Sequence, residues 1–156
     1  MKVRTPEERF RHAFWCWLLE HAAHKLPLHA GRKPGYWRHQ SAGLSVSGVG
    51  FDYVLGRTHT GLELYLQRKD AAENAAIFDG LLGQRSAIEA AFDAELEWAA
   101  LPNRTGCRIR YRIEQGGWED PGGWPVAIPA TVDAMVRFSG VLTEPAIACA
   151  RLVLED

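Results

Sequence analysis

Residues 51–70, FDYVLGRTHTGLELYLQRKD, decide the fold. Phe51, Tyr53 and Leu55 alternate with Asp52 and Val54. Leu62, Leu64 and Leu66 alternate in turn with Glu63, Tyr65 and Gln67. Both halves therefore carry the two-residue period of a strand with one apolar side. The intervening THTG permits a two-residue turn at His59-Thr60, which predicts a β-hairpin with Asp52 directly opposite Gln67 and Lys69 closing the second strand. An acid on one strand and an acid-x-lysine pair on the next is the layout of many metal-dependent nucleases. The hairpin thus poses a chemical question along with a structural one.

Working outward, AGLSVSG at 42–48 reads as a preceding strand, with Leu44 and Val46 alternating with serines. Before it, LPLHAGRKPGYWRHQS at 26–41 reads as a long loop, broken by two prolines and two glycines. The first helix starts at a capping signal, Thr5 as N-cap with Pro6 and Glu8, and its apolar face is Phe10, Ala13, Phe14, Trp17, Leu18 and Ala22. Beyond the hairpin, Asp70 with Glu73 suggests a second capping box. Ile77, Phe78, Leu81, Leu82, Ile88 and Phe92 continue at helical period, and Gly80 and Gly83 imply close packing. A second hairpin follows, with Leu96 and Trp98 inward on one strand and Cys107, Ile109, Tyr111 and Ile113 inward on the other, turning at Pro102-Asn103. A final helix runs through Ile128, Val132, Met135, Phe138 and Leu142, and Pro145 is expected to kink or divide it. The order αβββαββα predicts a single α+β domain over residues 1–156, with a largely antiparallel sheet covered by helices.

The composition is that of a soluble globular protein, 47% hydrophobic and 24% charged over 156 residues. The start, MKVRTPEERF, lacks the apolar core of a signal peptide, and no apolar run approaches the ~20 residues of a membrane span. Cys16, Cys107 and Cys149 are dispersed, which argues for reduced thiols in a cytoplasmic protein and against a disulfide frame or zinc knuckle. The net charge of −1 hides a polarity: residues 1–69 carry +6 and residues 70–156 carry −7. Such a chain can present a basic surface to an anionic partner, unless the two halves fold together and cancel.

GLELYL at 61–66, the run NAAIFDGLLGQRSAIEAAF at 74–92, LEW at 96–98, CRIRY at 107–111 and Trp124 at the final helix follow one another in a particular order. With FW at 14–15 and the glycine-flanked GLSVSGVG, they resemble the domain-of-unknown-function family numbered 4268 along nearly the whole chain. The resemblance implies a prokaryotic protein, here as a standalone domain, with a link to nucleic-acid processing or defence. It carries over no catalytic residues.

Four groups of residues are candidates for chemistry. In the metal-dependent nuclease reading, Asp52, Gln67 and Lys69 would form the site, but Gln67 stands where a second carboxylate is wanted. Glu63, four residues away and roughly 13 Å along the strand, is too far to replace it. The plainer reading is a polar sheet face. The loop around Arg32, Lys33, Tyr36, Trp37 and Arg38 interleaves cations with aromatic rings, as a partner with phosphates and flat bases requires. The competing reading makes it a basic surface loop whose Trp37 plugs the core, and loop aromatics favour that one. Arg108, Arg110 and Arg112 line one strand face, where Glu95 and Glu97 suffice to explain them as cross-strand ion pairs. His21, His24 and His29 lack the further ligands of a metal site, and no cofactor fingerprint is present.

These readings point to a non-enzymatic, cytoplasmic interaction domain without cofactor, metal or membrane anchor, associated with nucleic acid or a nucleic-acid-processing partner. Two alternatives stand beside it. One is a degenerate PD-(D/E)xK-like nuclease. The other is a protein-binding subunit or inhibitor in phage defence, anchored by exposed Trp118 and Trp124.

Overall fold

The computed structural model describes residues 3–100 and 106–155. The expected turn at Pro102-Asn103 lies outside them. Elements follow in the order α1 (Pro6–Ala23), β1 (His39–Gly43), β2 (Val49–Leu55), β3 (Thr60–Leu66), α2 (Ala71–Leu82), α3 (Arg85–Phe92), β4 (Glu97–Ala100), β5 (Cys107–Ile113) and α4 (Trp124–Leu154), the last preceded by a 3₁₀ turn at Pro121–Gly123. The five strands form one antiparallel sheet in the order β1-β2-β3-β5-β4, so the protein is α+β.

Register follows from the hydrogen bonds that close each pair. Gly56 donates to the His59 carbonyl at one end of the first hairpin, and Gln67 donates to that of Gly48 at the other. The turn is therefore Arg57-Thr58, not His59-Thr60, and Asp52 faces Glu63 while Gln67 faces Gly48. This corrects the expected Asp52–Gln67 pairing. The apolar set survives the shift, because moving a partner by an even number of residues keeps every side chain on its own face. At the other side, Trp98 pairs with Ile109 and Glu97 with Arg110.

Two compact units divide the chain: residues 1–42, 53–62 and 112–136, and residues 43–52, 63–111 and 137–156. In the first, Thr5 caps α1 with the expected reciprocal box: its side chain accepts from Glu8 N and its own N–H donates to Glu8. The buried stripe is Arg11, Phe14, Trp15, Leu18 and Ala22: Phe14, Leu18 and Ala22 lie inward as expected, while Trp15 takes the inward place expected of Trp17, and Phe10, Ala13 and Trp17 are exposed. Trp124, near 4% exposed, meets Phe14 and Phe10 edge-on, and its Nε1 donates to the Gly117 carbonyl at 2.7 Å. Thr60 and Thr131 satisfy each other at 2.8 Å inside this core.

In the second unit, Phe51, Phe92 and Phe138 pack edge-to-face at 5.6–5.7 Å about the shared Phe138 ring. Burying such a ring stabilises the fold by about 1.5–3 kcal/mol. Asp70 caps α2 through Ala72 N, but Glu73 pairs with Arg68 instead of closing a box. Gly83 ends α2, so the expected single helix is two, and Gly80 admits the Cys149 thiol against the helix backbone. Burial pushes that thiol up from its usual range.

Glu89 ties α3 to β4. Its carboxylate accepts from Leu96 N at 2.6 Å, from Trp98 Nε1 at 3.3 Å and from Arg85 Nε at 3.1 Å. The Leu96 bond, above all, holds this carboxyl below the usual carboxylate range. A depressed folded pKa contributes stability that is present above the unfolded value and is lost as pH falls through the folded one. Glu89→Gln should therefore lower urea stability at pH 7, by no more than about 1 kcal/mol once solvent screening is allowed for. The gap to the wild type should close as the medium is acidified below the carboxylate range, and a gap independent of pH would refute the assignment.

Pro121–Leu154 is long and apolar enough to cross a membrane by length and composition, where the sequence leads one to expect no such run. Its apolar residues instead supply core: Ile128, Val132 and Met135 are buried in the first unit, and Phe138, Leu142 and Ala146 in the second. The helix also passes Pro145 unbroken.

Candidate functional site

Two places gather chemistry, one in each unit. In the first unit the basic loop is latched from below. Gln40 is buried and reaches back along the loop, accepting from Gly35 N at 3.2 Å and donating to the Lys33 carbonyl at 3.1 Å. The Trp37 carbonyl accepts from Trp15 Nε1 at 2.8 Å. His29 is buried, with its Nε2 3.1 Å from the Gln40 carbonyl and its ring 4.7 Å from that of Tyr53, so it belongs to the scaffold. Burial pushes the Tyr53 phenol up in turn.

With the backbone held this way, Arg32, Lys33, Trp37 and Arg38 project into solvent. Trp37 is 73% exposed, so it is no core plug. Tyr36 has a different role from the one expected. His12 stacks on its ring at 4.5 Å, and the Arg4 guanidinium lies over the ring at 3.8 Å. Those two partners use both faces of the phenol, leaving neither for a base.

Arg38 also lines a cleft of about 470 Å³ together with Arg57, His59, Trp118 and Glu7. The cleft exists because residues 116–119 dock on the hairpin tip, where Trp118 N donates to the Gly56 carbonyl at 3.0 Å and Glu119 N to that of Arg57 at 3.1 Å. Gly117 makes this approach possible with φ +83°. The Arg57 guanidinium sits 5.7 Å from the Trp118 ring and 3.3 Å from Glu119. Glu7 is engaged by Arg11 at 3.0 Å. Desolvation, then the nearby Arg112 charge, lowers the His59 pKa against a smaller opposing effect of Glu114, so the two arginines supply the cleft's positive charge at neutral pH. Arg57, His59 and Trp118 were not legible as a group, because the hairpin turn and the late glycine loop are distant in sequence.

In the second unit Asp52 and Glu63 face each other across β2 and β3, each 6% exposed, with carboxylate oxygens within 4.8 Å. The polar face of the hairpin is therefore covered, not wet. Arg110 Nε donates to Glu63 Oε1 at 2.9 Å and also approaches Glu97 at 3.6 Å, while Arg108 Nε lies 3.4 Å from Glu63 Oε2. The arginine stripe is explained by ion pairs as expected, but with Glu63 as the main partner and Glu97 as the second. Arg112 pairs with Glu114. Gln67 is exposed and accepts from Arg108 at 2.8 Å, and Lys69 is exposed past the end of β3. Asp52, Gln67 and Lys69 are thus not brought together, and the carboxylate pair that does form includes the glutamate judged too distant.

An α+β scaffold with a latched basic loop in one unit and an arginine-covered acid pair in the other is the class that fold and geometry define. The chain belongs to the family described as a domain of unknown function (DUF4268), whose profile matches residues 10–146. Comparison with curated proteins and with solved structures found no match.

Proposed function

We propose that this protein is a non-enzymatic module that binds single-stranded nucleic acid through the loop carrying Arg32, Lys33, Trp37 and Arg38. The observation that carries the reading is the exposed Trp37 ring among three cations, on a backbone held by Gln40 and Trp15. A solvent-facing indole offers a stacking platform to any base, and the neighbouring charges neutralise phosphates. Arg38 and Arg57 in the adjoining cleft extend the cationic surface. The free thiols Cys16, Cys107 and Cys149 suit a reducing compartment, and we place the protein in a prokaryotic cytoplasm, on its own or with a nucleic-acid-processing or defence partner.

Fluorescence anisotropy with a labelled oligothymidine tests this. Affinity should fall steeply with salt, and Arg32→Ala and Lys33→Ala should each flatten the log–log slope by about 0.7. Trp37→Ala should cost about 1–3 kcal/mol of binding with little change in that slope. Binding insensitive to salt and to all three substitutions would reject the proposal.

The acid pair favours a second reading, a metal-dependent nuclease. Asp52 and Glu63 would supply the two carboxylates that Asp52, Gln67 and Lys69 do not. Against it, Arg108 and Arg110 already balance the Glu63 charge, and such neutralisation weakens attraction for a divalent ion. Cleavage dependent on Mg²⁺ or Mn²⁺ and abolished in Asp52→Ala would make this the better reading. The protein-binding alternative loses one of its two anchors, because Trp124 is buried and only Trp118 is partly accessible.

A further inference from the structure

Trp17 is 52% exposed, on the side of α1 opposite to Trp15. It does not stand alone on an open surface. A cleft of about 380 Å³ runs beside it, to which α1 contributes Trp17, Glu20 and His21, its C-cap contributes His24, and the first turns of α4 contribute Trp124, Pro125 and Pro129. The two indoles meet edge to face at 79° with ring centroids 5.8 Å apart, a right-angled aromatic corner whose open surface is that of Trp17, since Trp124 is 4% exposed. Trp124 cannot swing away, since its Nε1 is tied to the Gly117 carbonyl and its ring is wedged against Phe14. The cleft wall holds no lysine or arginine; Glu20 is its one acidic side chain, and His21 and His24 are its other titratable groups.

Each of these features selects for the same kind of guest. Aromatic faces carry negative charge density that attracts a cation, and most strongly a bulky, weakly hydrated one that gives up its water easily. Prolines and Ile128 offer apolar contact for methyl groups, and the Glu20 carboxylate in the same lining complements the positive centre. The volume falls in the range of small-molecule sites. A phosphate or other anion would meet the Glu20 charge with no lysine or arginine to offset it, and at pH 8 an imidazole is ordinarily neutral. We propose that this corner is a binding site for the quaternary ammonium group of a free small molecule. The site is independent of the nucleic-acid reading and uses none of its residues.

The full-length chain can be titrated at pH 8 with choline and with 3,3-dimethylbutan-1-ol, its uncharged isostere, following the indole N–H resonances of Trp17 and Trp124. Choline should shift both signals saturably, and the alcohol should bind about tenfold more weakly, a difference of about 1.4 kcal/mol that lies within the range of a cation–aromatic contact. Trp17→Ala and Glu20→Gln, both at exposed positions, should each weaken choline binding about fivefold or more, and Trp17→Phe should restore part of the loss. Equal affinity for the two compounds would mean a merely apolar groove and would overturn the assignment. So would choline binding unchanged in both loss-of-contact variants, or no saturable shift at all.

Discussion

Replacing Trp124 by alanine should destabilise the protein by about 3–5 kcal/mol, the range for emptying a buried aromatic site. For a chain of this size that corresponds to a fall in Tm of about 10 °C or more. The ring is the meeting point of Phe10, Phe14 and Trp17, of which Phe14 is itself fully buried. The substitution also removes the 2.7 Å bond to the Gly117 carbonyl, leaving that acceptor only the longer bond from Asp120 N at 3.3 Å. Trp124→Phe should recover most of the volume but not this bond, and so fall between the two. Differential scanning calorimetry of the three proteins checks the order. An alanine variant within 1 °C of the wild type would refute the placement of Trp124 in the core.

Gly117→Ala should cost about 2–4 kcal/mol, a larger loss than one methyl group ordinarily brings. Its φ of +83° is a conformation that side chains resist. A Cβ there would lie 2.4 Å from the Arg57 carbonyl oxygen and 2.6 Å from Thr58 Cα, both main-chain atoms that cannot step aside cheaply. The loop would have to lift from the hairpin tip, opening the cleft between Arg57 and Trp118. Gly122→Ala is the matched control, because its Cβ would meet only Asp120 at an ordinary 3.7 Å. Similar melting temperatures for the two variants would contradict the docking of this loop.

What the sequence could reveal depended on how local the cause was. The cap at Thr5 and Glu8 was readable because every atom involved lies within one helical turn. The alternation in β2 and β3 correctly separated the Phe51 and Leu64 side from the Asp52 and Glu63 side. Register was not fixed by that alternation, since shifts of two or four residues satisfy it equally. The Gly56–His59 bond chose among them, and Gly61, which looked like part of the turn, became a buried strand residue.

The acid pair was missed for a related reason. A polar residue in an alternating strand reads as solvent-facing, and only the distant Arg108 and Arg110 make burial of Glu63 tolerable. In α1, Trp15 and Trp17 compete for the same inward stripe, so composition alone leaves the phase ambiguous. The unbroken passage of α4 through Pro145 reflects a local rule overruled by packing. Phe138, Leu142 and Ala146 are all fully buried around it, which outweighs the ~3 kcal/mol that a proline costs inside a helix.

The strand order also bears on how copies of this protein meet one another in a crowded solution. β1 and β4 are the outermost ribbons, and among the described residues they are short, five and four residues, with Glu97 opening the second. The longer apolar ribbons that would recruit a stranger's backbone, β2, β3 and β5, are each flanked on both sides. Brief margins, one of them opened by a carboxylate, give an incoming chain little to zip against, so the sheet resists growing into a fibril.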